Sequence, residues 1–432
     1  MATRQPGLVI GSVVDMAGVA RAKVMPADRL DAFVTAGAGA STCWMVFCAD
    51  DHLAFTDTLS VVGDLRLRIA RDDLRDLGEG TWWAPADLTV QDGGPWPGCP
   101  RRALRSMVGR LAADGVDALV GHELEFVLFD ATGAGEWSAY GLGAAVRQRG
   151  FVSDLLSAAD LAGLVIDQVH AEYGPNQYEL SLAPADPVTA ADQAVLARLL
   201  VSVTARTHGM SASFSPLPLE GGAGNGAHQH LSLTRGGVPL LSGGDGPRGL
   251  TDTGCGAVAG LLAVLPDFML LLAGSPLSHL RLLPDHWAGV YCCWGLENRE
   301  AAVRLCADTP GNPHGANIEV KPIDPSANPY LATTVLLGGV HTGITDALPL
   351  PPEVTVNPSR LSETERAEAG VTLLPTDAAQ WLDRFADSRL ARELFDPVIH
   401  EAVGAVRGYE LDRYRGRSVD EVCERLRWAW TG

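Results

Sequence analysis

In the stretch GHELEFVLFD, apolar residues alternate with Glu123 and Glu125. A period of two is the signature of a β-strand and puts both carboxylates on one face. Like charges that close repel, and each resists ionisation unless a cation lies between or beside them. HAEYGPNQYELSL repeats the pattern, with Glu172 before a Gly-Pro turn and Glu179 in the strand after it, so that the turn can bring the two acids together. In GAGNGAHQHLSL a glycine-rich loop leads into a strand with His228 and His230 on one face, and NIEVKPIDPSANPYL places Glu319 and Lys321 in another alternating strand. Taken singly, each pattern also fits a salt-bridged or solvated sheet face. Together, five carboxylates and a histidine pair make an oxygen-rich ligand set that suits Mg²⁺ or Mn²⁺ better than zinc.

Positive charge is placed as selectively. LENREAAVRL holds Arg299 and Arg304, and RLLPDHWAGV holds Arg281 together with Asp285, His286 and Trp287 around Pro284. The guanidinium fork matches phosphate and carboxylate oxygens. The chain as a whole is acidic, with 33 Lys and Arg against 52 Asp and Glu and a net charge of −19, which argues against nucleic acid or an anionic membrane as a partner. On such a protein, arginines beside a divalent-metal cluster point to phosphoryl transfer, in which positioning and charge neutralisation do most of the work. The same residues would also serve a metal-dependent hydrolase that needs no ATP.

The elements that must position these residues are legible at low resolution. The 432 residues are 47% apolar and can bury a large core. The opening segment reads as a small α+β unit: strand GLVIGSVVDMAG, a turn at Gly18, strand VARAKVM, a helix opened by Pro26 and Asp28, and strand GDLRLRI. The Pro/Gly/Trp-rich stretch WWAPADLTVQDGGPWPGCP marks a boundary, dividing the chain into residues 1–100 and 101–432. A helix, RRALRSMVGRLAADG, follows and stops at Gly115; mixed strands and helices come next, and the C-terminal part is mainly helical. LLAVLPDFMLLLAG, broken by Pro266 and Asp267, is too short to cross a bilayer and is expected to be a core helix. The eight cysteines show no C-x-x-C pair or zinc-module spacing, and MATRQPGLVI lacks the sections of a signal peptide, so reduced thiols and a cytoplasmic location are expected.

Taken in order, VVDMAGVARAKVMP, GDL, CPR, GHELEFVLFD, EYGPNQYEL, GNGAHQHLSL, RLLP, ENREAAVRL, IEVKPIDPSANPYL and LLPTDAAQWL resemble the glutamine synthetase family. The pattern is most similar to its shorter γ-glutamylpolyamine and γ-glutamylamide synthetase-like members, which join glutamate to amines other than ammonia. The resemblance spans nearly the whole chain. It implies an α+β fold with an N-terminal β-grasp domain and a catalytic domain built on a curved antiparallel sheet flanked by helices. It also implies a homo-oligomer of stacked hexameric rings with active sites between subunits.

Carried over by position, Glu125, Glu172 and Glu179 would hold one metal ion, and Glu123, His228 and Glu319 the other, giving two Mg²⁺ or Mn²⁺ per site. Asp167, His230, Ser232 and Arg304 fall where the family contacts its co-substrate ATP. Gly224, Arg281, Arg299 and Lys321 fall where it contacts glutamate or the transferring phosphate. The implied reaction has two steps: the glutamate γ-carboxylate attacks the terminal phosphate of ATP, and an amine then displaces phosphate from γ-glutamyl phosphate.

Departures from the pattern concern the acceptor first. Trp287 stands where ammonia-using members carry a glutamate, and Ser41 aligns loosely with their N-terminal-loop aspartate. Free ammonia is therefore not the expected acceptor. Trp287 could hold an alkylammonium through its ring face or stack on a planar amine. A polyamine would prefer acids in that pocket, which weakens that choice. His286 is a candidate to receive the amine proton. On the donor side, Lys321 and Asn317 replace arginines, Ala223 an asparagine and Leu217 a lysine, while Leu348 replaces the tyrosine that relatives adenylylate. A non-catalytic scaffold or regulator of the same family is the remaining alternative, and the complete ligand set argues against it.

Overall fold

The computed structural model describes residues 7–130, 133, 135–313 and 315–431; most of the stretch read for a signal peptide, residues 1–6, lies outside them. The first six strands form one sheet. They are β1 (Leu8–Val14), β2 (Ala20–Pro26), β3 (Ala38–Ser41), β4 (Asp64–Ile69), β5 (Arg75–Asp76) and β6 (Thr81–Thr89). Their order is β2-β1-β6-β4-β3, with β5 on β6, and β1 and β6 run parallel at the centre. The helix Leu30–Thr35 packs on this sheet through buried Phe33, and a Cβ at Gly11 of β1 would lie 2.6 Å from its ring. A sheet closed on a helix in this way is the β-grasp arrangement. Pro26 both closes β2 and, with extended backbone (ψ 143°), opens the first helical turn, Ala27–Arg29, as expected from the sequence.

The second sheet carries the chemistry. Its strands are β7 (Val116–Phe129), β8 (Ile166–Ala171), β9 (Gln177–Leu182), β10 (Ser211–Ser213), β11 (Gln229–Arg235), β12 (Val238–Pro239), β13 (Tyr291–Leu296), β14 (Ala301–Cys306), β15 (Asn317–Val320) and β16 (Thr372–Leu373). The order is β16-β13-β14-β15-β11-β7-β9-β8, with β10 on β7 and β12 on β11. The sheet is mixed rather than wholly antiparallel: β13 and β14 run parallel, where a register shift between Tyr291 and Trp294 and left-handed Glu297 (φ 52°) redirect the chain.

Helices back the sheet. Pro100–Ala113 and Pro187–Thr207 pack on β7, and Asp252–Leu272 packs on β13 and β14. Asp252–Leu272 and Pro187–Thr207 are long and apolar enough to cross a membrane, but most of each is buried inside the protein. The run around Pro266 and Asp267 is the expected core helix, and the helix continues through Pro266, which lies on its partly exposed side.

Asp252–Leu272 meets the buried helix Pro329–Thr345 through glycines, which let the backbones approach. A Cβ at Gly260 would lie 2.0 Å from the Gly339 carbonyl oxygen, and one at Gly343 would lie 2.0 Å from that of Gly256. Asn328 caps Pro329–Thr345 with its side-chain oxygen and donates through Nδ2 to the Val14 and Asp15 carbonyls, tying the first sheet to the second. Gly260→Ala is expected to lower the unfolding free energy by about 1–3 kcal/mol through overpacking, measured by urea denaturation.

Candidate active site

Six neighbouring strands carry the acid and histidine positions in one row. The register sets Arg304 of β14 opposite Glu319 of β15, and Glu319 opposite His230 of β11. On the other side it sets Glu125 of β7 opposite Glu179 of β9, and Glu179 opposite His170 of β8. The halves join where the Glu123 N–H donates to the His228 carbonyl at 3.0 Å and the Glu125 N–H to the Gly226 carbonyl at 3.0 Å. Directly opposed residues share a face, so these side chains emerge together. His122 alternates to the opposite side, where burial and then the charge of Arg198 push its pKa down to about 3.

The ligating atoms converge. Those of Glu123, Glu179 and His228 lie within 4.8 Å of one another, as do those of Glu123, His230 and Glu319, and those of His170, Glu172 and Glu179. Glu123 meets both rings, Oε2 at 3.3 Å from His228 Nδ1 and Oε1 at 3.3 Å from His230 Nε2. Burial opposes its ionisation, but hydrogen bonds from His228 and His230 prevail and hold its carboxyl well below the usual range. Burial likewise opposes Glu319, which the charge of Lys321, with Nζ 3.0 Å away, and the two histidines draw down to about 2. Glu179 moves the other way: burial and then the charges of Glu123, Glu125 and Glu172 push it well above the usual carboxylate range.

Acids that oppose one another's ionisation form a set that a divalent cation completes. The donors, mostly carboxylate oxygens with imidazole, fit such an ion. The space is also kept free. A Cβ at Gly226 would lie 2.6 Å from His228 Nε2, 2.8 Å from Arg281 Nη2 and 3.0 Å from Glu125 Oε1.

Two of the expected ligands are already engaged. Glu125 Oε2 accepts from the Gly226 N–H at 2.9 Å and from Gln177 Nε2 at 3.2 Å. Glu172 Oε1 lies 2.8 Å from His170 Nε2, and its Oε2 accepts from the Tyr140 hydroxyl at 2.9 Å and the Tyr173 N–H at 3.0 Å. Against burial, the bonds from His170 and Tyr140 hold Glu172 below its ordinary value.

Positive groups border the row. Arg281 is buried, with Nη2 3.3 Å from His228 Nε2 and Nη1 without a hydrogen-bond partner among the described residues. Its stem lies against Gly224, where a Cβ would come within 2.7 Å of Arg281 Cγ, and the Gly224 carbonyl accepts from Gln177 Nε2 at 2.8 Å. Arg304 donates through Nη1 to Glu319 at 3.0 Å and through Nη2 to Glu297. His230 Nδ1 meets Asn317 Oδ1 at 2.8 Å, and Ser232 Oγ donates to the Ala316 carbonyl at 3.3 Å.

Three expected residues stand apart from the row. Asp167 is exposed on β8, Arg299 is exposed in the turn before β14, and exposed His286 has its Nδ1 2.9 Å from the Pro284 carbonyl. Trp287 is half exposed, and its ring centre lies 6.4 Å from that of Tyr140, which stacks on His170 at 6.3 Å.

His170, Tyr140, Gln177 and Gly226 were not singled out in the sequence. His170 and Gln177 each lie two residues before one of the expected acids, so a period of two applied to VHAE and NQYE points to them. Tyr140 lies in irregular chain and carries no such signal. Gly226 was hidden among other glycines.

With the geometry established, the comparisons are decisive. Residues 97–425 match the glutamine synthetase catalytic domain. The chain belongs to the glutamine synthetase family. It is 38% identical to the gamma-glutamylpolyamine synthetase of Streptomyces coelicolor over 98% of this chain and 93% of that protein. It is 29% identical to the glutamine synthetase of Pyrococcus abyssi, over 91% of this chain and 87% of the relative. The crystal structure of a novel glutamine synthase homolog matches over 100% of both chains with a TM-score of 0.90 at 30% identity.

Gly226→Ala is expected to weaken Mn²⁺ binding by about tenfold or more, the usual consequence of disturbing groups around a metal. Isothermal titration provides the measurement, with the metal-free unfolding midpoint as the control for folding.

Proposed function

We propose that this chain is an ATP- and Mg²⁺-dependent ligase that joins the γ-carboxylate of glutamate to an organic amine other than ammonia, through γ-glutamyl phosphate. Carboxylate–amine ligation is the chemistry of the family to which the chain belongs. One observation carries the finer reading. Where ammonia-using members place a carboxylate, the Trp287 indole stands beside Tyr140, whose hydroxyl donates to Glu172 at 2.9 Å. An aromatic wall over an acid suits an amine with a carbon body better than ammonium.

The residues divide the work as follows. Arg281 and Lys321 would bind the donor carboxylate and, with Arg304, the transferring phosphate; His230, Ser232 and Asn317 would face the nucleotide. Glu125, Glu172 and Glu179 would hold one Mg²⁺ or Mn²⁺ and Glu123, His228 and Glu319 a second. These ions would supply charge neutralisation on the phosphoryl group. The γ-carboxylate attacks the terminal phosphate and ADP leaves. The amine must then be unprotonated to displace phosphate from the acyl carbon. Glu172, flanked by His170 and Tyr140, is assigned here to a metal ion, which leaves that proton to exposed His286 or to water.

The similarity to a gamma-glutamylpolyamine synthetase supports an aliphatic amine acceptor. Residues 1–100 and 101–432 are read as two domains of a subunit in stacked hexameric rings. Free thiols at all eight cysteines fit a cytoplasmic enzyme.

ADP release is expected only when glutamate and an amine are both present, with the γ-glutamyl amide detected by mass. Ammonia should be poorer than the best amine by about tenfold or more in kcat/KM, and Trp287→Glu should narrow that gap. Ammonia matching the best amine would sink the acceptor reading. Hydrolysis without ATP would favour a hydrolase, and no turnover with any amine would favour a scaffold.

A further inference from the structure

The loop that carries Trp287 holds a conformation that residues with side chains rarely adopt. Asp285 (φ 61°) and Trp287 (φ 55°) both lie in the left-handed region, and Gly289 (φ 71°) follows. A Cβ at Gly289 would stand 2.6 Å from Lys321 Cβ, so the loop runs directly over the lysine of the acid row. Left-handed backbone at two non-glycine residues carries a steric penalty and persists only where the surroundings impose it.

Two acids impose it here. The Asp285 carboxylate accepts from Asn357 Nδ2 at 3.0 Å and Ser359 Oγ at 2.7 Å, fastening the loop to the segment outside it. Glu300 fastens it from within: its Oε1 accepts the Trp287 N–H at 2.9 Å. Although it follows exposed Arg299 in the turn before β14, Glu300 is only 5% exposed, and its Oε2 is buried without a hydrogen-bond partner among the described residues. A turn residue could keep its charge in water. Burying a carboxylate beneath a loop carries a desolvation penalty, and here the burial sets it against the loop's own backbone N–H groups, those of Trp287 and Asp285. The charged groups that bear on it are Asp285 and Lys321.

We infer that Glu300 is the positioning residue for acceptor choice. Its buried carboxylate fixes the Trp287 backbone. It thereby fixes the span between the indole, the Tyr140 ring and the Glu172 carboxylate, within which the amine must fit. This rests on the proposal that Trp287 borders the amine.

Glu300→Ala should raise KM for the best amine by about tenfold or more, as expected on losing a hydrogen bond to a buried charged group. On the same reasoning, KM for glutamate and ATP, and kcat, should stay within about twofold. Glu300→Gln keeps an oxygen for the Trp287 N–H and should restore most of the amine KM. Glu300→Asp keeps the charge but shortens its reach, and should show the same amine-only rise even if the alanine variant fails to fold. Because Glu300 acts through Trp287, adding Glu300→Ala to Trp287→Ala should raise the amine KM by no more than about a further twofold.

An unchanged amine KM in the folded variants, equal rises for all three substrates, or an undiminished rise in the Trp287→Ala background would overturn the inference. If the wild-type protein forms no γ-glutamyl amide from any amine, the functional proposal has failed. If it forms the amide and the Glu300 variants leave the amine KM alone, only the positioning role has failed.

Discussion

The mutual repulsion of carboxylates locked into one strand register is the constraint on which the rest of the structure depends. Glu123, Glu125, Glu179 and Glu319 come from three paired or near-paired strands, and a slip of one residue in any pairing would turn an acid to the helix side. The sheet therefore cannot relax the repulsion by moving its strands. It relaxes it chemically: Lys321 lies 3.0 Å from Glu319 and the two histidine rings lie against Glu123, whereas burial and the neighbouring carboxylates push the Glu179 carboxyl above its ordinary range. A site of this kind is unfavourable for the empty fold and favourable for a divalent ion.

The scaffold behind the row is correspondingly rigid. Glycine-mediated contact between Asp252–Leu272 and Pro329–Thr345 makes a dense layer under the sheet. The cap at Asn328 joins that layer to the turn at Val14 and Asp15 of the first sheet. On the site side, Gly224 and Gly226 let Arg281 lie against the loop that delivers His228, so one glycine-rich segment places both an imidazole and a guanidinium. By contrast, the end of the row at Trp287 is built from irregular chain, with Tyr140 before a helix and Trp287 in a loop held by Asp285 and Glu300. On the proposed function, such a division would let one metal and phosphate apparatus serve different amines by changing loops alone.

Much of the row was legible in the sequence because it obeys a strict period of two. Glu123 and Glu125, His228 and His230, and Glu319 each announced a strand, and the register among those strands follows the motifs. What escaped notice lacked periodicity or needed pairing partners. Tyr140 reaches Glu172 across 32 residues of chain, and Gly226 matters only because three side chains converge on the place where its Cβ would be. The parallel pairing of β13 and β14 is a tertiary outcome that overrides local signals. His286 looked catalytic in RLLPDHW, yet the left-handed residues on either side of it turn the loop so that its ring is exposed.

The account stands most directly on whether the clustered acids destabilise the fold without a cation. Thermal unfolding of the wild-type protein and of Glu179→Gln, each in EDTA and in excess Mn²⁺, measures this. Binding of an ion to the folded state alone should raise the wild-type midpoint by several degrees. Glu179→Gln should be at least as stable as wild type in EDTA and gain far less from Mn²⁺. A wild-type midpoint indifferent to EDTA, or a variant clearly less stable than wild type in EDTA, would contradict it.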